Sequence, residues 1–491
     1  MLDILNNYKI SDTPVKAGDL LLNENPFVYV LSSKEKGLRC DNCLQKSKVL
    51  KCSGCQFVHY CGRVCQKEAW SGHKWECSNL KRVAPKIIPD AARMLAKIVN
   101  RLSRGDGQSY RAYYTKTSFR MWKDLMSHYP DLKQDKKRMD HFTSLCMVLF
   151  EFLKDISLPN TVELMGMYGR MVINSFTILD IDMNSIGTGI YLASSIVDHS
   201  CDPNAVATFD GNIINIRAIQ DMPNLDWNQI RISYIDLLKT PYERQTELLE
   251  NYYFLCECDR CDIQIKILHA AKCPNQKCDN SVKISWKDCD LVRKPKDESK
   301  KNGYIKENGD SNNESEKEES ECNNKSEIVR EGECSACGTK CTDKQIEVFK
   351  KAMEFTEMHL QKMKSSSVAY VDVCKFCLEK QEGILHPLNV MHAQTMDHAF
   401  DALIQVQLWE TACLYAEKLI PCFKFYYGER HPLLGLLHLK YGKILLYKMD
   451  LSKALEHLKL AEKILKITHG DRHPLYKEQL LPLLSQAMLE S

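Results

Sequence analysis

The sequence predicts a multidomain α+β protein whose helices and short strands occupy different parts of the chain. Residues 84–165 carry apolar side chains at helical spacing, and the chain is again helical from residue 342 onward. Between them, residues 206–219 (VATFDGNIINIRAI) place two β-prone runs around Asp210-Gly211, which predicts a β-hairpin. At 491 residues the chain is too long for one core, so two to four domains are expected.

The bulk composition favours a soluble protein of the cytoplasm or nucleus. With 67 basic and 64 acidic residues the net charge is only +3, which predicts no strong overall attraction to nucleic acid or to a membrane. The first residues (MLDILNNYKISDTPVKAGD) lack a cationic start followed by a long apolar run, so no signal peptide is expected. No apolar stretch approaches the roughly 18–20 residues of a membrane span.

The 23 cysteines require an explanation of their own. A secreted disulfide scaffold is one alternative, but such chains are short and carry an export signal. Here the cysteines form close pairs within a long chain that is rich in lysine and glutamate. This pattern favours metal ligands in a reducing compartment.

Eight candidate zinc ligands lie within residues 40–77, spaced C-x2-C-x8-C-x2-C-x5-C-x3-C-x7-H-x3-C. Tetrahedral zinc takes four sulfur or nitrogen donors, and a two-residue gap lets one tight turn direct two thiolates at one ion. Eight donors fill all ligand positions of two tetrahedral zinc ions and leave none for water. This predicts that the ions are structural and not catalytic. An interleaved pairing is expected, with Cys40, Cys43, Cys61 and Cys65 on one ion and Cys52, Cys55, His73 and Cys77 on the other.

The alternative for this segment is a chance run of reduced cysteines, which such selective spacing disfavours. The segment resembles the MYND finger, including its Y-C-x3-C-Q-x3-W stretch at Tyr60 to Trp70 and its H-x3-C close. Fingers of that family mostly bind proline-rich peptides. The region is also basic, which allows weak nucleic-acid contact, although a charge run is more often a solvated face; its lysines are Lys46, Lys48, Lys51, Lys67, Lys74 and Lys81.

A third cluster is predicted from C-x-C-x2-C near residue 260. Cys256, Cys258 and Cys261 supply three ligands, and Cys201 is the available fourth donor. Such a site would hold the DHSCDPN loop at residues 198–204 against the later segment. The simpler alternative is a structural zinc with no further role.

A fourth, ribbon-type site is a candidate across a long insertion. Its four ligands are Cys273, Cys278, Cys334 and Cys337. Residues 293–330 between the two pairs are expected to be disordered, because few apolar side chains offset the ordering entropy. These apolar residues are Tyr304, Ile305, Cys322, Ile328 and Val329.

The C-terminal helical region contains an internal repeat. YGERHP at residues 427–432 recurs as HGDRHP at residues 469–474, an offset of 42 residues. A period of this length with helix pairs between turns predicts a tetratricopeptide-like stack. We expect the histidines of the two G-x-x-H-P motifs to close turns rather than to bind metal.

A second resemblance concerns the middle of the chain. DHSCDPN at residues 198–204 resembles the NHSCxPN signature of SET-domain lysine methyltransferases. NSFT at 174–177, GTGIY at 187–191, ISY at 232–234 and F-x-C-x-C-x2-C from Phe254 follow in that family's order. With a finger inserted after residues 17–39, nearly the whole chain is similar to the SET and MYND domain family.

The resemblance implies a split SET β-fold with an inserted two-zinc MYND finger, a zinc-binding post-SET segment and a C-terminal all-α domain. The implied domains are 1–39 (first SET part, with an incomplete first strand), 40–77 (finger), 78–165 (helical SET insertion), 166–240 (SET core), 241–265 (post-SET), 266–341 (candidate zinc ribbon) and 342–491 (tetratricopeptide-like).

The resemblance also implies S-adenosylmethionine-dependent methylation of lysine in histone or non-histone proteins, a role in transcription, and a monomeric state. Tyr234 and Tyr252 would be the catalytic channel tyrosines, and zinc would occupy three or four sites. Residues that would contact S-adenosylmethionine are Asn174, Asp198, His199, Tyr252 and Phe254, with His128 at its ribose. For each tyrosine, the alternative is ordinary core packing.

Three departures from the family pattern favour a second hypothesis, a catalytically weak adaptor that recruits proline-rich partners. The stretch NNYKISDT at residues 6–13 lacks the family's Gly-x-Gly turn, where a β-carbon would crowd the cofactor. Asp198 replaces the leading asparagine of the signature. Asp226-Trp227-Asn228-Gln229-Ile230 replaces the acidic G-E-E-L run.

Overall fold

The computed structural model describes residues 10–11, 13–154, 157–263, 269–286, 331–364 and 370–490. The stretch 6–13, on which the expected incompleteness of the first strand rests, is described only at residues 10, 11 and 13, and the expected disorder of residues 293–330 lies outside the described residues. The predicted α+β class is confirmed, with small sheets and an inserted finger in the first part and an all-helical C-terminal region. None of the described helices is long and apolar enough to cross a membrane.

Short strands of the first 283 residues form several two- and three-stranded sheets. One three-stranded sheet has the order β11-β12-β2 and another the order β3-β9-β8, while β10 pairs with β14 in parallel. The strands are β1 (Ile10–Ser11), β2 (Leu20–Glu24), β3 (Val28–Leu31), β4 (Leu50–Lys51), β5 (His59–Tyr60), β6 (Ala112–Tyr113), β7 (Phe119–Arg120), β8 (Ser175–Leu179), β9 (Ser185–Ile190), β10 (Asp198–His199), β11 (Ala205–Asp210), β12 (Ile213–Ala218), β13 (Leu225–Asp226), β14 (Arg231–Ile232), β15 (Ala270–Lys272) and β16 (Ser281–Lys283).

The predicted hairpin around Asp210-Gly211 is confirmed as β11–β12, with Asp210 opposite Ile213. Gly211 has a φ of +60°, a left-handed conformation that glycine adopts without a steric penalty. A β-carbon at Gly211 would lie 2.5 Å from the carbonyl oxygen of Cys43, because the hairpin tip packs directly against the finger. The hairpin therefore supports the inserted finger.

The helices of this part of the chain dominate residues 84–165, as the periodicity predicts, and also occur on either side of that range. They are α1 (Arg63–Val83), α2 (Asp90–Ser103), α3 (Asp106–Ser109), α4 (Tyr129–Gln134), α5 (Lys136–Phe152) and α6 (Thr161–Asn174), followed by α7 (Pro241–Tyr252) and α8 (Asp259–Ile263). The sequence did not predict the hairpin β6–β7 within this region. Its strands carry aromatic side chains, and the rings of Tyr113 and Phe119 lie 5.3 Å apart on paired strands.

The C-terminal region is helical throughout its described part. Its helices are α9 (Asp343–Lys364), α10 (Val371–Gln381), α11 (Val390–Gln405), α12 (Trp409–Tyr427), α13 (Pro432–Tyr447), α14 (Leu451–Thr468) and α15 (Leu481–Glu490), with a π-helix at Leu475–Leu480. The two G-x-x-H-P histidines close turns as expected. His431 Nδ1 accepts from Leu433 N, and His473 Nδ1 accepts from Leu475 N, both at 3.2 Å.

Two large apolar cores divide the molecule. One joins the finger with β2, β3 and the helices up to α6. The other joins the cysteines of the third and fourth predicted clusters with the C-terminal helices. Tyr234 packs against both cores, so the predicted channel tyrosine lies where they meet.

Candidate active site and zinc clusters

The structure brings the predicted ligands together as four separate groups. Within each group the ligand atoms all lie within 4.8 Å of one another. The groups are Cys40, Cys43, Cys61 and Cys65; Cys52, Cys55, His73 and Cys77; Cys201, Cys256, Cys258 and Cys261; and Cys273, Cys278, Cys334 and Cys337. The interleaved pairing expected in the finger is the arrangement observed.

The sulfur–sulfur separations in these groups suit a tetrahedral metal. Pairs of thiols lie 3.4–3.9 Å apart in all four groups. A Zn–S distance of about 2.3 Å gives a tetrahedral edge of roughly 3.8 Å. A disulfide needs a sulfur–sulfur distance near 2.05 Å, which these pairs do not approach.

In the finger, a buried ion network surrounds the second group. Glu76 Oε2 lies 3.4 Å from Nδ1 of His73, which leaves Nε2 to face the cysteines. The guanidinium of Arg93 on α2 contacts both oxygens of Glu76 and donates to Asp41 at 3.2 Å. Carboxylates that orient a metal-bound histidine in this way fix its tautomer and its ring position.

The positive and negative side chains of this network are buried and neutralise one another's charge. Glu76 and Arg93 are only 1% and 5% exposed. Burial opposes ionisation of Glu76, but Arg93 and Lys97 outweigh it and hold the pKa of Glu76 well below its ordinary value. The network therefore connects the finger to the helical segment that follows it.

The third group is connected directly to Tyr234. The backbone N–H of Tyr234 donates to His199 Nδ1 at 3.0 Å, so the ring proton resides on Nε2. Nε2 faces the sulfur of Cys201 at 3.3 Å. Both ring nitrogens of His199 therefore already have hydrogen-bond partners. Only its backbone and the face of its ring remain available to contact a cofactor.

Four aromatic rings gather beside the third group. Tyr234 and Tyr252 have ring centroids 5.1 Å apart, and His199 lies 5.4 Å from Tyr234 and 5.9 Å from Phe254. Burial and the charge of Asp198 raise the pKa of Tyr234, and burial and the charge of Glu247 raise the pKa of Tyr252. Both hydroxyls therefore remain protonated at neutral pH.

A cleft of about 510 Å³ opens next to these rings. Tyr234 and Tyr252 line it together with Asn174 and parts of β8 and β11. The helical region contributes a second wall, formed by Tyr427, His431 and Leu433. Asp236, Lys239 and Glu247 also line the cleft.

Of the predicted cofactor residues, Asn174 and Tyr252 line the cleft, whereas Asp198, His199, Phe254 and His128 lie outside its lining. Asp198 is exposed at the start of β10. His128 lies beside Tyr253, with ring centroids 5.5 Å apart, and its Nδ1 is 3.1 Å from Asp131. Asn174 donates both amide hydrogens to backbone carbonyls, those of Met126 and Arg170, which leaves its Oδ1 as an acceptor.

Comparison with known proteins identifies the finger and relatives that match nearly the whole chain. The MYND finger family model matches residues 40–77. Histone-lysine N-methyltransferase SMYD3 of Homo sapiens is 28% identical over 477 residues, which cover 96% of this chain and 93% of the relative. Histone-lysine N-methyltransferase ASHR1 of Arabidopsis thaliana is 26% identical, with 97% and 92% covered, and N-lysine methyltransferase SMYD2 of Homo sapiens is 26% identical, with 95% and 92% covered.

The chain resembles the SET and MYND domain family along nearly its whole length. The relatives named above cover 95–97% of it, and the finger family model matches residues 40–77.

Two arginines that the sequence pattern did not single out contact residues around the site. Arg260 donates to the carbonyl of Cys201 at 3.0 Å and to those of Phe425, at 2.7 Å, and Tyr426 at the end of α12. It therefore links the third group to the helix that carries Tyr427. Its position inside the C-x-C-D-R-C motif was the available signal.

The second missed residue, Arg120, bears on the Asp198 departure. Its guanidinium donates to the carbonyls of Ser195 and Asp124. Burial lowers the pKa of Arg120, while the charges of Asp124 and Asp198 oppose that change. The negative charge introduced by Asp198 thus has a cation in its surroundings.

Proposed function

We propose that this protein is an S-adenosylmethionine-dependent protein-lysine N-methyltransferase of the nucleus and cytoplasm, acting on histone or non-histone proteins in transcription regulation. The observation that carries the proposal is the pair Tyr234 and Tyr252 at the cleft, held to the third cysteine group through His199. The names of the relatives, which are lysine methyltransferases, point to the same chemistry.

The aromatic rings prepare the substrate amine. A free lysine has a pKa near 10.4, so its ammonium must lose a proton before the nitrogen can act as a nucleophile. Rings around the amine remove water and disfavour the charged form. Burial keeps the hydroxyls of Tyr234 and Tyr252 protonated, so they do not act as strong bases. The hydroxyl of Tyr234 donates its only hydrogen to Val197 O, so it orients the amine by accepting a hydrogen bond on its oxygen.

The residues near β10 suit the cofactor by their chemistry. S-adenosylmethionine, when bound, supplies a methyl group on a sulfonium. Asp198 and the free Oδ1 of Asn174 are acceptors for its ammonium, and the rings of Phe254, Tyr252 and His199 offer apolar faces. His128 is the proposed neighbour of its ribose.

The other proposed parts are zinc ions and partner sites. Zinc in the first three cysteine groups would hold the finger and the post-SET segment in place. The finger recruits protein partners with proline-rich segments, and the substrate lysine enters through the cleft between the SET core and the helical region.

The test is a calorimetric titration of zinc-loaded protein with S-adenosylmethionine, followed by labelled methyl transfer to core histones and to a lysine peptide array. Heat of binding and incorporated label are expected. Tyr234→Phe removes the hydroxyl that donates to Val197 O at 2.5 Å and should lower methyl transfer about 100-fold while cofactor binding persists.

Tyr242→Phe is the matched control, because this exposed tyrosine on α7 lies outside the cleft lining. It should transfer methyl at the wild-type rate. Asp198, in place of the asparagine of the signature, favours the second candidate, an adaptor without catalytic activity. Absence of binding heat at high cofactor concentration would support the adaptor and exclude the methyltransferase.

A further inference from the structure

Cys273, Cys278, Cys334 and Cys337 come from two distant stretches of chain that meet side by side. β15 and β16 form an antiparallel hairpin, and Cys273 and Cys278 lie in the turn between them. The second stretch is a shorter hairpin in which Glu333 bridges Lys340, with Cys334 and Cys337 in its turn. Gly332 N donates to Lys283 O at 2.9 Å and joins the two hairpins.

Each turn has the backbone hydrogen bonds that aim two thiols in one direction. Cys278 N donates to Asn275 O at 2.9 Å, and Gly338 N donates to Cys334 O at 2.8 Å. Gly338 has a φ of +69°, which a glycine at this turn position tolerates. Across the turns, the sulfurs of Cys273 and Cys337 are 3.5 Å apart and those of Cys278 and Cys334 are 3.8 Å apart.

We propose that these four cysteines bind a fourth zinc ion, which fastens the C-terminal helices to the rest of the protein. The separations match a tetrahedral edge of roughly 3.8 Å and exclude disulfides. A closed set of four thiolates suits a structural zinc, and no ligand position is left for water. The family model that matches the finger ends at residue 77 and does not include this site.

The fastening role follows from what the first hairpin contacts. Lys272 N donates to Ile384 O at 2.8 Å, and His386 N donates to Ala270 O at 3.0 Å, so the hairpin and the loop before α11 share a ladder. Asn389, whose side chain caps α11, also donates to Ala270 O. The hairpin thus holds the N-terminal end of α11.

Helix α11 in turn contacts a backbone segment that lines the cleft. Gln394 on this helix donates to the carbonyl of Leu238 at 2.7 Å. Leu238 is followed by Lys239, which lines the cleft. An ion bound by the fourth group would therefore restrict the motion of α11. Through the hydrogen bond of Gln394, it would also restrict the motion of the cleft segment after Tyr234. Zinc binding by the fourth group does not depend on whether the cleft methylates lysine.

The proposal is tested on the full chain, purified without added chelator, by measuring zinc and iron per protein. Four zinc ions per chain are expected for the wild type and three for the double variant Cys334→Ser/Cys337→Ser. Cys341→Ser is the control, because Cys341 follows the second turn but lies outside the four-cysteine group. It should retain four ions.

Hydrogen exchange then tests the fastening. In the double variant, the amides of Lys272 and His386 should exchange at least about tenfold faster, since local opening releases the hydrogen bonds that protect them. Amides of the finger should be unchanged. Three zinc ions in the wild type, or iron in place of zinc, overturns the site whatever the folding of the variant. Unchanged exchange at Lys272 and His386 overturns the fastening role.

Discussion

The finger and the cleft both depend on clustered cysteines, yet they are built in opposite ways. All eight ligands of the finger lie within residues 40–77. The third group instead joins Cys201 to Cys256, 55 residues further along the chain. The finger is fixed to its surroundings by a buried ion network, whereas the cleft is assembled from β8, β11, the segment after β14, Tyr252 and a helical wall that includes Tyr427.

This difference decides which property each region loses when it is damaged. In the finger, Arg93 holds Glu76 ionised, and the charges compensate one another. Behind the cleft, burial raises the pKa of Asp397 to about 7, and the like charges of Asp401 and Asp236 add to the effect. We therefore expect finger variants to lose stability and metal, and cleft variants to lose rate.

The largest expected effect belongs to Arg93→Met. The variant leaves the buried carboxylate of Asp41 without its ion-pair partner and Glu76 with only Lys97, at 3.9 Å, which should lower the free energy of unfolding by about 3–5 kcal/mol. Urea denaturation and the rate of zinc release measure this loss. Binding of S-adenosylmethionine by the remaining folded protein should be unchanged, because the network lies apart from the cleft lining.

The control for this variant is Arg63→Met, an exposed arginine at the start of α1. It should change the free energy of unfolding by no more than about 0.5 kcal/mol. Equal loss of cofactor affinity and of finger stability in Arg93→Met would show that the two regions are not independent.

The second effect is expected from His199→Ala. The variant removes the acceptor for the Tyr234 N–H and the ring N–H that faces Cys201. Groups that orient a metal ligand from outside typically contribute about 10–100-fold, so methyl transfer should fall by that factor. The rate of labelled transfer at saturating cofactor and the zinc content of the finger are measured together.

His141→Ala is the comparison, because His141 also bonds a tyrosine, Tyr168, at 2.8 Å, but on α5 and α6 away from the cleft lining. It should leave the rate of methyl transfer unchanged. A wild-type rate in His199→Ala would contradict the link between the third group and Tyr234.

The smallest expected effect is a pH dependence at Asp397. Its pKa is raised to about 7, so between about pH 4 and 7 the folded protein binds a proton that the unfolded chain releases. The free energy of unfolding should therefore fall as the pH rises through this range. Asp397→Asn should remove that part of the decline and stabilise the protein by about 1–2 kcal/mol at pH 8.

Urea denaturation at pH 4.5 and pH 8 measures the change, and the two proteins should differ little at the lower pH. Asp140→Asn, on the exposed face of α5, is the control and should follow the wild type at both values. A wild-type pH profile in Asp397→Asn would show that another group causes the decline.

The sequence was sufficient wherever ligands or turns lie close together in the chain. The spacing of C-x2-C and H-x3-C predicted the groupings in the finger that the structure has. Asp210-Gly211 predicted β11–β12, because a two-residue loop of this kind fixes the local backbone. The expected proximity of Cys201 to Cys256 did not come from local spacing. It followed because tetrahedral zinc needs four ligands and the C-x-C-x2-C motif supplies only three.

What the sequence did not predict depends on contacts between distant segments. Nothing in the local pattern places Tyr427 beside Tyr234, and Arg93 occupies an ordinary helical position on α2. The hairpin β6–β7 was assigned to a helical region, because its strands are too short to establish an alternating pattern. His128 was expected near the cofactor ribose, and that assignment stays a prediction.

The hydrogen bond from Gly332 N to Lys283 O, at 2.9 Å, brings together two points of the backbone that are 49 residues apart. The polypeptide leaves the ribbon and returns to it at nearly the same place. Apart from Ile284 and Trp286, which are buried in the core, the length of chain between these two points should affect stability little, because loop closure adds only about 0.6 kcal/mol for each doubling of length. We expect the ribbon to accept a folded reporter with adjacent termini at this place.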